Sequence, residues 1–287
     1  MEKSVLAQDS LLSDTINSQL SLEYPPRPGY REAILKRFIG ELEENGAEIC
    51  DKFYETLGEL MARTKEEPQF YFRIFHLEQQ NIQPIVIRES IYQLSQGTTG
   101  LSLWPAACTL AEWCLKSNQK LERKHVLELG SGSGLTGIAV IRHCLPASFT
   151  FTDCNYQVLQ NIRHNLHSNQ LNRASIHVTE LAWRHFQISS YSGQKPDVIL
   201  GADLCFDPSI LVDLVNALEV WVRNCNCVCY IMNTMRNEET FETFKTLLSE
   251  TGLKYELQKI DLLPLQKICF PIVSTVACDQ VLLTING

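Results

Sequence analysis

Blocks of basic residues are missing from this sequence. Lysine and arginine total 25 against 33 aspartate and glutamate residues, so the formal net charge is -8. Proteins that bind nucleic acid directly need a basic patch or stripe against the phosphates. The composition therefore predicts no direct contact with nucleic acid. A mildly acidic surface of this kind suits a basic protein substrate.

Long apolar runs are missing as well, and residues 1–20 lack the basic and apolar regions of a secretory leader. A helix needs about 20 mostly apolar residues to cross a bilayer. We therefore expect a protein that does not span a membrane, is not secreted and works in the cytoplasm.

Pairs of the C-x-x-C type are missing although the chain has 11 cysteines. Cys225, Cys227 and Cys229 are spaced as C-x-C-x-C, which on a strand puts all three on one face, but the segment is typical of a core strand and no histidine is near enough to complete a tetrahedral zinc site. Most other cysteines lie in apolar segments, as reduced, buried thiols of cytosolic proteins do. The sequence predicts no metal site.

The most informative stretch present is a glycine-rich turn. Four apolar or acidic residues, Val126 to Leu129, lead into Gly130, Gly132 and Gly134, and an apolar helical pattern follows. This order predicts a strand, a tight turn and a helix N-terminus, where glycines let a ligand approach the backbone closely.

Two classes of ligand compete for this turn. The residues from Gly132 to Gly137 match the G-x-G-x-x-G dinucleotide fingerprint. Glu128, however, lies two residues before Gly130, and a carboxylate there suits the ammonium and sulfonium groups of S-adenosylmethionine (AdoMet) better than a pyrophosphate. A nicotinamide-dependent oxidoreductase is the alternative, although the sequence offers no catalytic Tyr-x-x-x-Lys or other set of residues for hydride transfer.

Hydrophobic spacing predicts three segments along the chain. Residues 1–30 form a flexible N-terminal segment, and residues 31–95 hold two amphipathic helices followed by a β-hairpin made of residues 69–76 and 84–88. Residues 96–287 form the main α/β domain. The helices either pack on that domain or dock a partner.

Strands and helices alternate through the main domain. After the strand before the glycine turn, strands are predicted at 148–153, 175–179, 197–203, 227–234, 254–260 and 272–285. Alternation of this kind gives a mostly parallel sheet covered on both faces, and the last two strands, with no helix between them, form an antiparallel hairpin. Ligands of such sheets bind at the carboxyl ends of the strands, where Glu128, Asp153, Trp183 and Asp203 lie.

Three of the polar and aromatic residues at that edge suit a nucleoside. Asp153 can accept hydrogen bonds from both ribose hydroxyls, although it competes with Asn155 for the role of helix cap. Trp183 can flank an adenine ring, and Trp104 can place its indole against a ligand, but each is equally plausible as a core residue.

Asp203 and Phe206 suit a substrate amine. A carboxylate at the end of the fourth predicted strand can hold the amine by a charge-assisted hydrogen bond or accept its proton. The ring of Phe206 can contact a methylated ammonium. The structural alternative for Asp203 is to cap the helix that follows.

The combined pattern resembles the family 16 seven-strand protein-lysine methyltransferases. The motifs are Glu128-x-Gly130-x-Gly132-x-Gly134, Asp153, Leu181-x-Trp183 and Ala202-Asp203-x-x-Phe206. A more specific block, Gly97-Thr-Thr-Gly-Leu with Trp104 and Leu110-Ala-Glu-Trp113, resembles the members that act on elongation factor 2.

The resemblance implies a Rossmann-like seven-strand sheet, AdoMet as methyl donor and one lysine of elongation factor 2 as the target. It also implies a set of AdoMet contacts, which are Trp104, Gly130, Ser131, Gly132, Asp153, Trp183 and Ala202.

Two positions depart from the family pattern. Ala182 stands where an acid commonly serves the adenine amino group, and Phe206 stands where tyrosine is common. Two alternatives stay open on this ground. One is an AdoMet-binding protein with weak catalysis that acts through its N-terminal helices, and the other is a methyltransferase for another substrate.

Overall fold

The computed structural model describes residues 2–62, 68–77, 83–260, 269–270 and 278–287. The chain divides into two compact units. The first consists of Met1–Ile74 and Arg88–Ile91, and the second of Phe75–Ile87 and Tyr92–Gly287.

The first unit is helical. Its helices are α1 (Glu2–Asp14), α2 (Gln19–Glu23), α3 (Tyr30–Glu44) and α4 (Asp51–Ala62). Their apolar faces meet in a small core whose buried members are Leu12, Ile16, Leu35, Ile39 and Phe53. The two helices predicted between residues 31 and 63 are therefore confirmed, and Arg63 itself lies outside the described residues.

Residues 1–30 differ from the flexible segment that the sequence predicts, since they contain α1 and α2. Leu12 and Ile16 are 0% and 3% exposed. Gln8 ties α1 to the segment before α4, because its Nε2 donates to the carbonyl of Glu48 at 2.8 Å and its Oε1 accepts from the amide of Cys50 at 2.9 Å. Few apolar residues serve this contact, so hydrophobic spacing alone did not reveal the helix.

Strands β1 (Phe70–Phe75) and β2 (Ile85–Ser90) pair in a two-stranded sheet of their own. Both occupy the positions predicted for a strand pair ahead of the main sheet.

The second unit contains the α/β domain. Its helices are α5 (Pro105–Lys116), α6 (Leu135–His143), α7 (Tyr156–Ser168), α8 (Leu211–Cys225) and α9 (Glu238–Thr251). Its strands are β3 (His125–Leu129), β4 (Ser148–Asp153), β5 (Ile176–Glu180), β6 (Val198–Ala202), β7 (Val228–Thr234), β8 (Lys254–Ile260) and β9 (Gln280–Asn286).

These strands form one seven-stranded sheet in the order β5-β4-β3-β6-β7-β9-β8. The first five of that order pair in parallel, and β9 pairs antiparallel with both β7 and β8. The predicted fold class, including the C-terminal antiparallel hairpin, is confirmed. The predicted last strand began at Ile272, and residues 271–277 lie outside the described part of the chain.

One core of this unit lies between the sheet and helices α8 and α9. Trp221 of α8 and Phe244 of α9 are fully buried there against Ile231 of β7 and Leu283 of β9. Helix α6 packs on β4 through Gly137, which lies against the rings of Phe149 and Phe151.

The cysteine motif is split between two elements. Cys225 is the last residue of α8, whereas only Cys229 lies on β7, so the predicted placement of all three cysteines on one strand face is wrong. Among the residues that the structure describes, no three His, Cys, Asp or Glu side chains are grouped to hold a metal ion. No described helix is long and apolar enough to cross a membrane.

Candidate active site

The glycine turn after β3 adopts the backbone that its glycines predict. Gly130, Gly132 and Gly134 have φ values of 55°, 50° and 83°, in the left-handed region that glycine adopts without strain. Gly134 is the N-cap of α6. The turn therefore presents backbone rather than side chains at the carboxyl end of the central strand.

Hydrogen bonds to β4 fix this turn. The amide of Ser131 donates to the carbonyl of Thr152 at 2.8 Å, and the amide of Thr152 donates to Oγ of Ser131 at 3.0 Å. Oγ1 of Thr152 donates to the carbonyl of Glu128 at 2.7 Å. All three side chains are buried, so these bonds set the geometry of the turn in a dry environment.

Glu128 is a buried carboxyl with an incomplete set of hydrogen bonds. It is 2% exposed, and its Oε2 has no hydrogen-bond partner within the protein. Burial raises the pKa of Glu128 to about 8. Hydrogen bonds from the hydroxyls of Thr136 and Ser131 and from the amide of Gly137 act to lower this pKa. A cationic group brought next to this side chain would favour its ionised form.

Asp153 ends β4 beside the glycine turn. Its Oδ2 accepts a hydrogen bond from the amide of Gly132 at 3.4 Å, and its Oδ1 accepts from the amide of Asn155 at 3.0 Å. The N-cap of α7 is Asn155, which leaves Asp153 free of the capping role that competed for it. Burial raises the pKa of Asp153, and the amides of Asn155 and Gly132 lower it.

Trp183 lies close to Gly130. A Cβ added to Gly130 would stand 2.9 Å from Cδ2 of Leu204 and 3.4 Å from Cζ2 of Trp183. Trp183 is only partly buried and packs on the edge of the core cluster. Its ring therefore borders the turn instead of filling the interior.

The segment from Gly97 to Trp104 lies close to the same turn. A Cβ added to Gly132 would stand 3.4 Å from the carbonyl oxygen of Gly100. Nε1 of Trp104 donates to the carbonyl of Thr99 at 3.0 Å, and the ring is half-buried. Trp104 is thus fixed at the rim, immediately before α5, and is not a fully buried core residue.

Asp203 lies one residue beyond β6 and is strongly constrained. It has a left-handed φ of 52°, which is uncommon outside glycine. Its Oδ1 accepts from the amide of Thr234 at 2.8 Å, and its Oδ2 accepts from Oγ1 of Thr234 at 3.2 Å and from the amide of Ala106 at 3.4 Å. The side chain bonds β7 and the start of α5 and does not cap α8.

Arg236 is a further residue of this group that the sequence reasoning did not single out for a role. Its Nη2 lies 3.1 Å from Oδ2 of Asp203, and its Cζ lies 5.0 Å from the ring centroid of Trp104. The signal that locates Asp203 also applies here, because Arg236 follows the carboxyl end of the next strand in the sheet.

The structure brings most of the predicted site residues together at the carboxyl edge. Gly132 donates a hydrogen bond to Asp153, Gly130 lies beside Trp183, and Arg236 contacts both Trp104 and Asp203. Ala202 ends β6 next to Asp203 and is half-buried. Phe206 is 55% exposed on the loop after β6, and Ala182 is exposed before Trp183.

These residues fit AdoMet. The open backbone at Gly130 and Gly132 admits a ligand, Oε2 of Glu128 lacks a partner that a ligand could supply, and Asp153 and Trp183 flank the turn where a ribose and an adenine would lie. Burial explains why Glu128 alone would be costly to ionise, and a ligand carrying positive charge would offset that cost.

Solved structures share this architecture. A protein from Streptococcus mutans described as a candidate SAM-dependent methyltransferase superposes with a TM-score of 0.51 at 15% identity, over 78% of this chain and 57% of that one. A candidate methyltransferase complexed with SAH gives a TM-score of 0.52 at 15% identity, over 78% and 58% of the two chains. The fold is that of AdoMet-dependent methyltransferases.

Sequence comparison gives the family. A family model described as lysine methyltransferase matches residues 82–250. The human protein-lysine N-methyltransferase EEF2KMT is 32% identical, over 86% of this chain and 78% of its own length. The protein-lysine N-methyltransferase EFM3 of Chaetomium thermophilum is 28% identical, over 86% and 81% of the two chains.

This chain belongs to the lysine methyltransferase family. The predictions of an AdoMet-dependent protein-lysine methyltransferase and of AdoMet as methyl donor are confirmed.

Proposed function

We propose that this protein transfers a methyl group from AdoMet to the side-chain amine of a lysine in elongation factor 2, in the cytoplasm. The main observation in support is the position of Asp203, a nearly buried carboxylate held beyond β6 on the edge where the glycine turn opens. The human relative is named as a protein-lysine N-methyltransferase, which supports the choice of a protein lysine as acceptor.

The cofactor-binding role falls to residues around the glycine turn. We assign the methionine end of AdoMet to the backbone from Gly130 to Gly132 and to Glu128, and the ribose to Asp153. Trp183, beside Gly130, is assigned to the adenine. Trp104 contacts Arg236, the ion-pair partner of Asp203, and Ala202 precedes Asp203 in the chain. Residues 96–287 thus carry cofactor and substrate groups together.

The substrate role falls to Asp203 and Phe206. The carboxylate of Asp203 is fixed by three hydrogen bonds from Thr234 and Ala106, so it can orient an incoming amine without reorganising. The exposed ring of Phe206 offers a face to the methylated product cation in place of the tyrosine hydroxyl.

AdoMet supplies an electrophilic methyl group on sulfur. The lone pair of the neutral lysine amine forms the new bond to carbon while the bond from carbon to sulfur breaks, and the pair of electrons stays on sulfur. The extra proton on the product nitrogen leaves for water or for a carboxylate within reach. Because this reaction needs little besides alignment, positioning contributes most of the acceleration.

The direct test is methyl transfer to purified elongation factor 2 with labelled AdoMet, followed by mass spectrometry of the product. The Asp203→Asn variant should lose transfer by about 100-fold or more, since it removes a charge that orients the amine. AdoMet affinity, measured by calorimetry, should change little, because Asp203 lies beyond the cofactor contacts.

The matched control is Asp207→Asn, four residues further along the same loop. Asp207 accepts a hydrogen bond from the amide of Ser209 at 2.9 Å, a role that asparagine can fill. This variant should methylate like the wild type. Binding of AdoMet by the wild type without any transfer to elongation factor 2 would contradict the proposed function.

A further inference from the structure

The guanidinium of Arg236 joins two residues that serve different ligands in the proposed function. Its Nη2 lies 3.1 Å from Oδ2 of Asp203, on the substrate side. Its Cζ lies 5.0 Å from the ring centroid of Trp104, on the cofactor side. Trp104 is itself held by the bond from its Nε1 to the carbonyl of Thr99. Arg236 therefore lies where the two ligands would meet.

One member of the ion pair is nearly buried and the other is partly exposed to solvent. The side chain of Asp203 is 7% exposed and that of Arg236 is 39% exposed. Oδ2 of Asp203 already receives hydrogen bonds from Oγ1 of Thr234 and the amide of Ala106 in addition to Arg236. The carboxylate is thus fixed in place, and its charge is balanced by a cation that is partly exposed to solvent.

This balance matters because only the neutral amine can accept a methyl group. A lysine in water has a pKa near 10.4 and is an ammonium at neutral pH. A nearly buried carboxylate without a counter-charge would raise the pKa of that amine further and hold it in the unreactive form. A guanidinium stays charged at every physiological pH, so it opposes a second cation beside Asp203.

The other charged groups around this pair are engaged elsewhere or lie at the surface. In α5, the amide of Ala106 at the helix N-terminus donates a hydrogen bond to Asp203, and Glu112 pairs with Lys116 at 3.1 Å. From the loop after β6, Asp207 bonds Ser209, and burial raises the pKa of Cys205 so that it stays a thiol. From α9, Glu238 and Glu239 are exposed. Among the described residues, Asp203 is the ion-pair partner found for Arg236.

We propose that Arg236 is a positioning residue that balances the charge of Asp203, so that the target lysine is oriented by the carboxylate while it remains a neutral amine. The inference rests on the proposed function. It assigns to Arg236 the control of the protonation state of the lysine, and to Trp104 the fixing of the guanidinium by contact with its ring.

The pH dependence of kcat tests this inference. In the Arg236→Gln variant the profile should move to higher pH by about one unit, so that kcat falls about tenfold near neutral pH and recovers in alkali. KM for elongation factor 2 should not rise, because the bare carboxylate still binds the lysine. Arg236→Lys keeps the charge and should retain a profile close to that of the wild type.

Arg223→Gln is the matched control. Arg223 also pairs with a carboxylate, Glu219, at 2.8 Å, but on the outer surface of α8. This variant should leave the pH profile in place. Calorimetry should give Arg236→Gln and the wild type the same AdoMet affinity to within about twofold, which verifies that the site is folded.

Every other outcome of these measurements overturns the inference, alone or together with the proposed function. An unmoved profile in Arg236→Gln, with an active wild type, overturns the inference and leaves the proposed function standing. Equal effects of Gln and Lys show that Arg236 acts by packing and not by charge, and a loss of AdoMet affinity places it in the cofactor site; both overturn the inference. A wild type that transfers no methyl group at any pH overturns the function and the inference together.

Discussion

At the scale of single residues, the carboxyl edge of the sheet contains a glutamate, Glu128, whose burial opposes ionisation of its side chain. Glu128 has a pKa of about 8 because it is fully buried, and its Oε2 has no partner. A carboxyl whose pKa rises on folding stabilises the fold fully below its unfolded-state pKa. That contribution is lost as the pH rises through the folded-state pKa.

Glu128→Gln should therefore gain stability relative to the wild type as the pH rises. Ordinary glutamate has a pKa near 4.3, so the difference between the two proteins should change by roughly 1.4 kcal/mol for each pH unit between about 4.5 and 8. Urea unfolding of the ligand-free proteins at pH 5, 7 and 9 measures this change, which should be about twice as large from pH 5 to 7 as from pH 7 to 9, because the titration ends near pH 8.

The control for this prediction is Glu250→Gln, an exposed residue of α9 in the same unit. Its difference from the wild type should stay flat over the same pH range. Parallel stability curves for the wild type and Glu128→Gln would show that Glu128 ionises freely in the folded protein.

Residues of the site differ in how far the sequence could predict them. Asp153 and Asp203 could be placed at strand ends because strands are bounded by their own composition. The ion pair of Arg236 with Asp203 spans 33 residues of sequence and depends on which strands are neighbours, and the sequence alone does not state that β6 lies beside β7. A contact of this kind follows from topology, not from a local pattern.

At the scale of elements, helix packing accounts for the last glycine of the G-x-G-x-x-G match. A Cβ on Gly137 would stand 2.1 Å from Cε1 of Phe151 and 2.5 Å from Cε1 of Phe149, both fully buried rings. Helix α6 can approach β4 closely only because this position has no side chain. The last glycine of the match thus serves the contact between helix and strand, whatever ligand the turn binds.

Gly137→Ala should consequently destabilise the protein. Neither ring has room to move in a packed core, so we expect a loss of about 1–3 kcal/mol in the free energy of unfolding. The comparison is Gly58→Ala in α4, where nothing lies within 4 Å of the added Cβ. There alanine should gain about 0.5–1 kcal/mol through helix propensity.

Denaturant unfolding followed by far-UV circular dichroism would measure both variants. Equal effects of the two substitutions would mean that α6 lies further from β4 than the rings of Phe149 and Phe151 indicate.

Elements also show where prediction from the sequence stops. Hydrophobic patterns located β3 to β8 within a few residues, because most of these strands are apolar or alternating segments between polar turns. The insertion of β9 between β7 and β8 is invisible to such patterns, because pairing of β9 with β7 depends on long-range register. Helix α1 was not predicted for a different reason: it contributes too few buried residues to stand out from a polar stretch of sequence.

At the scale of the whole molecule, cofactor contacts and helical core belong to different units. Every residue assigned to AdoMet, from Trp104 to Ala202, lies in the second unit, and the core of Leu12, Leu35 and Phe53 lies in the first. A ligand that binds only the folded second unit stabilises that unit by mass action. Local opening in a protein need not be uniform, so separate units can respond separately.

Hydrogen exchange with and without saturating S-adenosylhomocysteine, the product of AdoMet, should show this division. Protection should rise in the glycine turn, at the start of α6 and at the end of β4, where Ser131, Thr152 and Asp153 interlock. Amides of α3 and α4 should exchange at unchanged rates, because their hydrogen bonds and buried side chains belong to the first unit. The Glu128→Gln variant should bind the ligand more weakly. At the same ligand concentration it should therefore show a smaller ligand-induced rise in protection. Ligand-induced protection throughout α3 and α4 would instead mean that the two units open as a single cooperative body, and that the helical extension takes part in binding the cofactor.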